Sequence, residues 1–198
     1  MAVSKSMFQR VLDFLFANRI QLSFFIVIIC MVEDIMEKVR PHDIISFSDF
    51  WGTVGLILVL VGALLRSWAA GVVHKGKQLQ TTGPYALARH PLYVGSFLIA
   101  IGFCAIIGDG ENIWVVLFLG LVMYLPKIRE EEAVLSKRFG EAWDKYKKET
   151  SFISLKVPTL SMFSEWSFSQ WRRNKEYYTF FTSLVMLTAL ELIRKLLF

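Results

Sequence analysis

Apolar residues recur along this chain in long blocks, with polar residues gathered between them. Phe8, Val11, Leu12, Leu15 and Phe16 fall at helical spacing between Arg10 and Asp13, which predicts a short interfacial helix over 7–17. A first apolar run covers about Ile20 to Ile35, short for a span of roughly 20 residues. Phe50 to Gly71 is apolar except for Arg66, and Gly52, Gly55 and Gly62 fall near one helical face. Small residues there allow close helix approach, because lipid supplies no hydrophobic drive between helices. Pro91 opens a third run, to about Gly108, from a position where its missing N–H costs nothing. "GDGEN" (108–112) reads as a tight turn. A fourth run covers Ile113 to about Leu125, a charged helix follows from Lys127 to Lys148, and a last apolar run covers Tyr177 to Ile193. The expected fold is all-α: one polytopic, membrane-embedded domain over 1–198, with about five transmembrane helices. Its parts are 1–49, a core over 50–155, and an extension over 156–198.

Composition agrees with this layout. Hydrophobic residues make up 55% of the 198 positions and charged residues 20%, and the charges collect mostly between the runs. Lys and Arg cluster before the first run, between Arg66 and Arg89, after the fourth run, and at Arg172, Arg173 and Lys175. The acid-rich loop 33–49 and the "GDGEN" turn lie on the other side. The positive-inside rule then places the N-terminus, the 72–90 loop and the 127–176 segment in the cytosol. The net charge of +5 is read as that cytosolic bias, and no nucleic-acid partner is expected. Arg194 and Lys195 would fall on the far side if the last run crosses, which would make that run a re-entrant or interfacial element instead. Cys30 and Cys104 lie in apolar runs without metal-ligand spacing, so neither a disulfide framework nor a metal site is expected. No cleavable signal peptide is evident.

Two polar segments carry candidate chemistry. In "TTGPYALARHPLYVG" (81–95), Arg89 and His90 stand where a helix enters the membrane, an end whose free N–H groups and dipole suit a carboxylate or phosphate. Tyr93 lies one turn in, and Gly95 opens space beside it. Interfacial anchoring is the alternative for each of these residues alone. In "KIREEEAVLSKRFGEAWDKYKK" (127–148), a helical wheel sets Ile128, Leu135, Phe139 and Tyr146 on one stripe, with Trp143 beside it. Glu131 and Glu132 border that stripe, while Glu130 points to water. Gly140 is a candidate break. A half-buried carboxylate needs a partner, for which a sulfonium cation, Arg89 or Lys127 would serve.

These two segments, in this order and separated by a hairpin of spans, resemble the isoprenylcysteine carboxyl methyltransferase family and its phospholipid methyltransferase relatives, over about residues 50–155. The resemblance implies an S-adenosylmethionine-dependent methyltransferase acting on a lipophilic acceptor. It implies cofactor binding by Arg89, His90, Tyr93, Gly95, Glu131, Glu132 and Tyr146. The catalytic candidates are Glu132, Arg129 and Lys127, with Lys127, Arg129 or Arg66 orienting an anionic acceptor. Arg66 also reads as a snorkelling residue near its helix end. The implied setting is an integral, multi-pass protein of a bacterial cytoplasmic membrane, or of the endoplasmic reticulum in a eukaryote, with a cytosolic active face. Trp143 in place of the commoner Tyr, Lys127 in place of Arg, and "TSFISLKV" after Tyr146 depart from the family pattern. The alternative is an NADPH-dependent sterol-type reductase. Trp143 favours it, Leu92 opposes it, and Lys75 and Lys77 would take the 2′-phosphate.

Overall fold

Asp49 begins the first long helix. Its carboxylate accepts the Gly52 N–H at 3.1 Å, satisfying one of the orphan donors of helix α1, Phe50–Val72. The computed structural model describes residues 32–152 except 75, residues 165–198, and the isolated positions 7, 26, 29, 30, 159 and 162. All of the expected interfacial helix but Met7, more than half of the first run, and Lys75 lie outside the described residues. Among the described residues every regular element is helical.

After α1 come α2 (Pro84–Leu87), α3 (Pro91–Ile107), α4 (Gly110–Leu119), a π-helical turn (Gly120–Tyr124), α5 (Leu125–Phe139), α6 (Glu141–Glu149), α7 (Phe168–Arg173) and α8 (Tyr177–Leu197). Helices α1 and α3 pack antiparallel through glycines. A Cβ on Gly55 would stand 2.6 Å from the Gly102 carbonyl oxygen, and one on Gly62 would stand 2.6 Å from that of Gly95. The seven-residue step on one helix matches the seven-residue step on the other, two turns apart, so one close-approach stripe runs along both. Val59, Phe103 and Ile106 fill the seam, and Leu187 and Leu190 of α8 close it.

One sequence expectation is corrected here, and one open alternative is settled. The fourth run does not stop at Leu125: α4, the π turn and α5 form one helix from Gly110 to Phe139, 30 residues long. Pro126 stands two residues past the π turn, and its absent N–H and bulky ring account for the widened turn before it. The charged helix 127–148 is in turn two helices, broken where Gly140 adopts φ +51°.

Among the described residues, α1 and Gly110–Phe139 are long and apolar enough to cross a membrane, while α3, with 17 residues, is apolar but shorter. Their outer faces expose Trp51, Ile57, Leu64, Trp114, Phe118 and Leu121, a surface that suits lipid rather than water.

Helix α8 is pinned to the bundle at both ends. Near its start Arg66 of α1 meets Glu176 at 2.7 Å, and near its finish Arg194 meets Asp43 at 3.1 Å. It therefore lies antiparallel along α1 for most of its length, and Arg194 is neutralised where it stands.

Candidate functional site

Gly83 turns the chain with φ +61°, a conformation that suits glycine, and Pro84 starts the short helix α2. His90 then N-caps α3, its carbonyl taking the N–H groups of Tyr93 and Val94 at 3.0 and 3.1 Å. The Arg89 N–H donates to the Ser151 carbonyl at 3.1 Å, and the Tyr146 hydroxyl donates to the Tyr85 carbonyl at 2.7 Å. Helix α6 is thereby strapped across the entrance of α3, burying Trp143 and Tyr146. Burial pushes the Tyr146 phenol above its ordinary range, which keeps it a hydrogen-bond donor.

The neighbouring carboxylates of α5 have different roles. Glu132 accepts from His90 Nε2 at 3.1 Å and from Lys147 Nζ at 2.7 Å, with Arg89 Nη1 3.7 Å away. Glu131 accepts from the Tyr93 hydroxyl at 2.8 Å. Tyr93 also stands edge-on to Tyr124, their ring centres 5.7 Å apart. Glu130 is exposed and pairs with Lys127 at 2.9 Å.

These elements enclose a cavity of about 700 Å³. Arg89, His90, Tyr93, Glu131, Trp143 and Tyr146 line one part of it. Arg66, Ser96, Glu176 and Thr179 line another, and Lys127 and Glu130 also border it. Tyr124 and Met123, at the end of the π turn, complete the wall between α3 and α5. The Nε of Arg89 is buried and has no hydrogen-bond partner among the described residues. A buried guanidinium N–H favours an acceptor beside it, since a buried unmet donor costs about 1–3 kcal/mol.

Of the residues singled out from sequence, Arg89, His90, Tyr93, Glu131, Tyr146 and Lys127 line the cavity. Glu132 does not: it sits among His90, Arg89 and Lys147 and holds them from outside the lining. Arg129 is exposed and also outside the lining. Gly95 does not open onto the cavity. A Cβ there would strike Arg66 Cγ at 2.5 Å and the Gly62 carbonyl at 2.7 Å, so the space beside it belongs to α1. Arg66 is no snorkelling residue. It is largely buried, and it binds Glu176 through Nε and Nη2 at 2.7 and 3.0 Å.

Sequence reasoning missed Glu176, Asn174 and Thr179 as lining residues. The one available signal was a lone acidic residue closing the basic run "RRNKE" directly before an apolar helix, a place where a helix N-terminus favours a carboxylate. Among the described residues no group of three or more His, Cys, Asp or Glu side chains could hold a metal ion.

Comparison with known proteins places this geometry in context. Residues 50–142 match the phospholipid methyltransferase family. The chain is 36% identical over 116 residues to the nickel-cobalt-cadmium resistance protein NccN of Alcaligenes xylosoxydans xylosoxydans, covering 56% of this chain and 51% of that protein. It is 34% identical over 124 residues to the protein-S-isoprenylcysteine O-methyltransferase of Schizosaccharomyces pombe, covering 54% and 51%. A shorter likeness, 27% over 86 residues, joins it to the 7-dehydrocholesterol reductase of Danio rerio, covering 42% of this chain and 18% of the reductase. The chain spans about half the length of the first two relatives. No solved structure matches it.

Proposed function

We propose, on the premise that residues 50–142 are a segment of the phospholipid methyltransferase family, that the chain is a membrane-embedded methyltransferase. It takes S-adenosylmethionine into the cavity between α3, α5 and α6, and a lipophilic acceptor from the bilayer. The observation that carries this reading is the buried Nε of Arg89, without a partner among the described residues, in a cavity that also holds the Glu131 carboxylate. An amino-acid group needs that pair of opposite charges, a cation for its carboxylate and an anion for its ammonium. Tyr93, Tyr124, Trp143 and Tyr146 supply the aromatic surface that a purine base requires.

When bound, the cofactor supplies the electrophilic methyl, and the chain supplies position and dryness. Arg89 binds the carboxylate, aided by the positive end of α3. Glu131 binds the ammonium and is held in place by Tyr93. Glu132 orients Arg89 and His90, and Tyr146 and Trp143 exclude water over the site. Lys127 is the cation assigned to an anionic acceptor; Arg129, being exposed, is not. The cytosolic placement of this face rests on the Lys and Arg bias of the loops, and the multi-pass path on the apolar runs.

The test is calorimetry on the full chain in detergent. S-adenosylhomocysteine should bind and NADPH should not. NADPH binding alone would overturn the proposal in favour of a reductase, the activity named for the zebrafish relative.

A further inference from the structure

We infer that the C-terminal extension, which lies outside the family segment, forms the acceptor end of the cavity, and that Glu176 is the positioning residue that holds it there through Arg66. The inference rests on the methyltransferase reading and adds where the acceptor goes.

Arg66 has five N–H donors, and all five are spent. Nε gives to Glu176 Oε1 at 2.7 Å, and Nη2 gives to Glu176 Oε2 at 3.0 Å and to Thr179 Oγ1 at 3.3 Å. Nη1 gives to the Leu92 carbonyl at 3.1 Å and to Ser96 Oγ at 2.5 Å. No donor remains for an acceptor head group. The role left to Arg66 is to join three helices, α1, α3 and α8, at one point on the cavity wall. Glu176 supplies the only carboxylate of that set, with a side chain just 6% exposed. Its loss would leave the guanidinium buried and uncompensated.

The position of this latch separates the two ends of the cavity. Ser96 lies six residues beyond His90 on α3, about 9 Å further along the helix axis. The cofactor-binding groups stand at the entrance of α3, so the latch stands on the side toward the bilayer. The extension is also built to stay there. The Asn174 amide donates to the carbonyls of Ala70 and Val73, and the Gln170 amide donates to that of Val73, filling acceptors left open at the end of α1. Lys175 follows Asn174 with φ +57°, a conformation uncommon for a residue with a side chain, and it lines the cavity. A fixed backbone there presents the same wall to every acceptor.

The experiment uses the full chain in nanodiscs, wild type against Glu176→Gln and Glu176→Asp. S-adenosylhomocysteine affinity is measured by calorimetry. Methyl transfer is measured from S-adenosylmethionine to two probes, N-acetyl-S-farnesylcysteine and a phosphatidylethanolamine. A third readout needs no activity: with Cys30 and Cys104 replaced by alanine, the rate at which a small methanethiosulfonate labels Ser183→Cys, a buried position on α8. For Glu176→Gln, acceptor KM and labelling rate should each rise about tenfold, as for a buried charge pair losing one partner, with S-adenosylhomocysteine affinity and kcat within about twofold. Glu176→Asp should recover part of both effects. An unchanged labelling rate, or cofactor affinity falling as far as acceptor KM rises, would overturn the inference. If the wild type binds no S-adenosylhomocysteine, the methyltransferase reading fails, and the assignment of an acceptor end fails with it. The labelling rate alone then decides whether Glu176 latches α8.

Discussion

Two clusters of charged residues stand at opposite ends of α1 and α3, and only one of them is built to bind. At the far end Asp49 caps α1 and also accepts from His42 and from the Asp43 N–H; Asp43 takes the N–H groups of Ile45 and Ser46 and pairs with Arg194. Arg194 pairs further with Glu191 at 2.6 Å. A hollow of about 540 Å³ lies there, but no Phe, Tyr or Trp lines it, and its carboxylates are met from within the protein. At the other end the cavity is lined by aromatic rings, Arg89 Nε has no partner among the described residues, and Glu131 has the Tyr93 hydroxyl. Charge density is therefore no sign of a site. What distinguishes the site is hydrogen-bonding capacity left unspent inside a concave, partly apolar volume.

The comparison can be broken most directly at Glu132. Glu132→Ala leaves Arg89, His90 and Lys147 without their shared carboxylate, and should weaken S-adenosylhomocysteine binding by about 100-fold, in line with removing one partner of a charge cluster. The protein should still insert and fold, as judged by size exclusion in detergent. Arg89→Lys keeps the charge but loses the planar fork, and should weaken the same binding by about tenfold. Tyr146→Phe removes the bond to the Tyr85 carbonyl and should destabilise the fold by about 1 kcal/mol in thermal unfolding.

At the far end the effect is confined to stability and has a defined pH window. The N–H groups of Ser46 and Ile45, with Arg194, hold the Asp43 carboxyl below its ordinary range. A group whose folded pKa is depressed contributes stability above its unfolded value, near pH 4, and that contribution is lost as pH falls. Asp43→Asn should therefore lower the unfolding temperature at pH 7, flatten its decline at acid pH, and leave S-adenosylhomocysteine affinity unchanged. A loss of binding in Asp43→Asn would remove the distinction between the two ends. Glu130→Ala is the smallest expected change. Its carboxylate is exposed and, among the described residues, pairs with Lys127, so affinity should shift by less than about twofold. Equal effects of Glu130→Ala and Glu132→Ala would show that the face assigned to α5 is wrong.

That face was legible before any coordinates. A period of 3.6 residues sets Ile128 inward, Glu130 outward, and Glu131 and Glu132 at the border, and the burial of these four side chains follows that order. The start of α3 was legible for a similar reason. Proline is favoured in the first turn of a helix, so Pro91 marks the end at which Arg89 and His90 stand. The glycine stripe of α1 was visible too, but its partners on α3 were not, because a periodic pattern shows which face is smooth and not what packs on it.

Local rules alone determined the helices, their polar and apolar faces, and the turn glycines, because each depends on residues within a turn or two of one another. The tertiary structure decided three further features. The π turn before Pro126 joins two predicted segments into one helix and sets Tyr124 against Tyr93. Glu131 reaches the cavity while Glu132 is held back, a difference that arises because α6 brings Lys147 to one carboxylate and α3 brings Tyr93 to the other. Arg66 meets Glu176 across 110 positions of sequence. No pattern along the chain encodes that meeting. It follows from α8 folding back along α1, where two buried charges are stable only in each other's company.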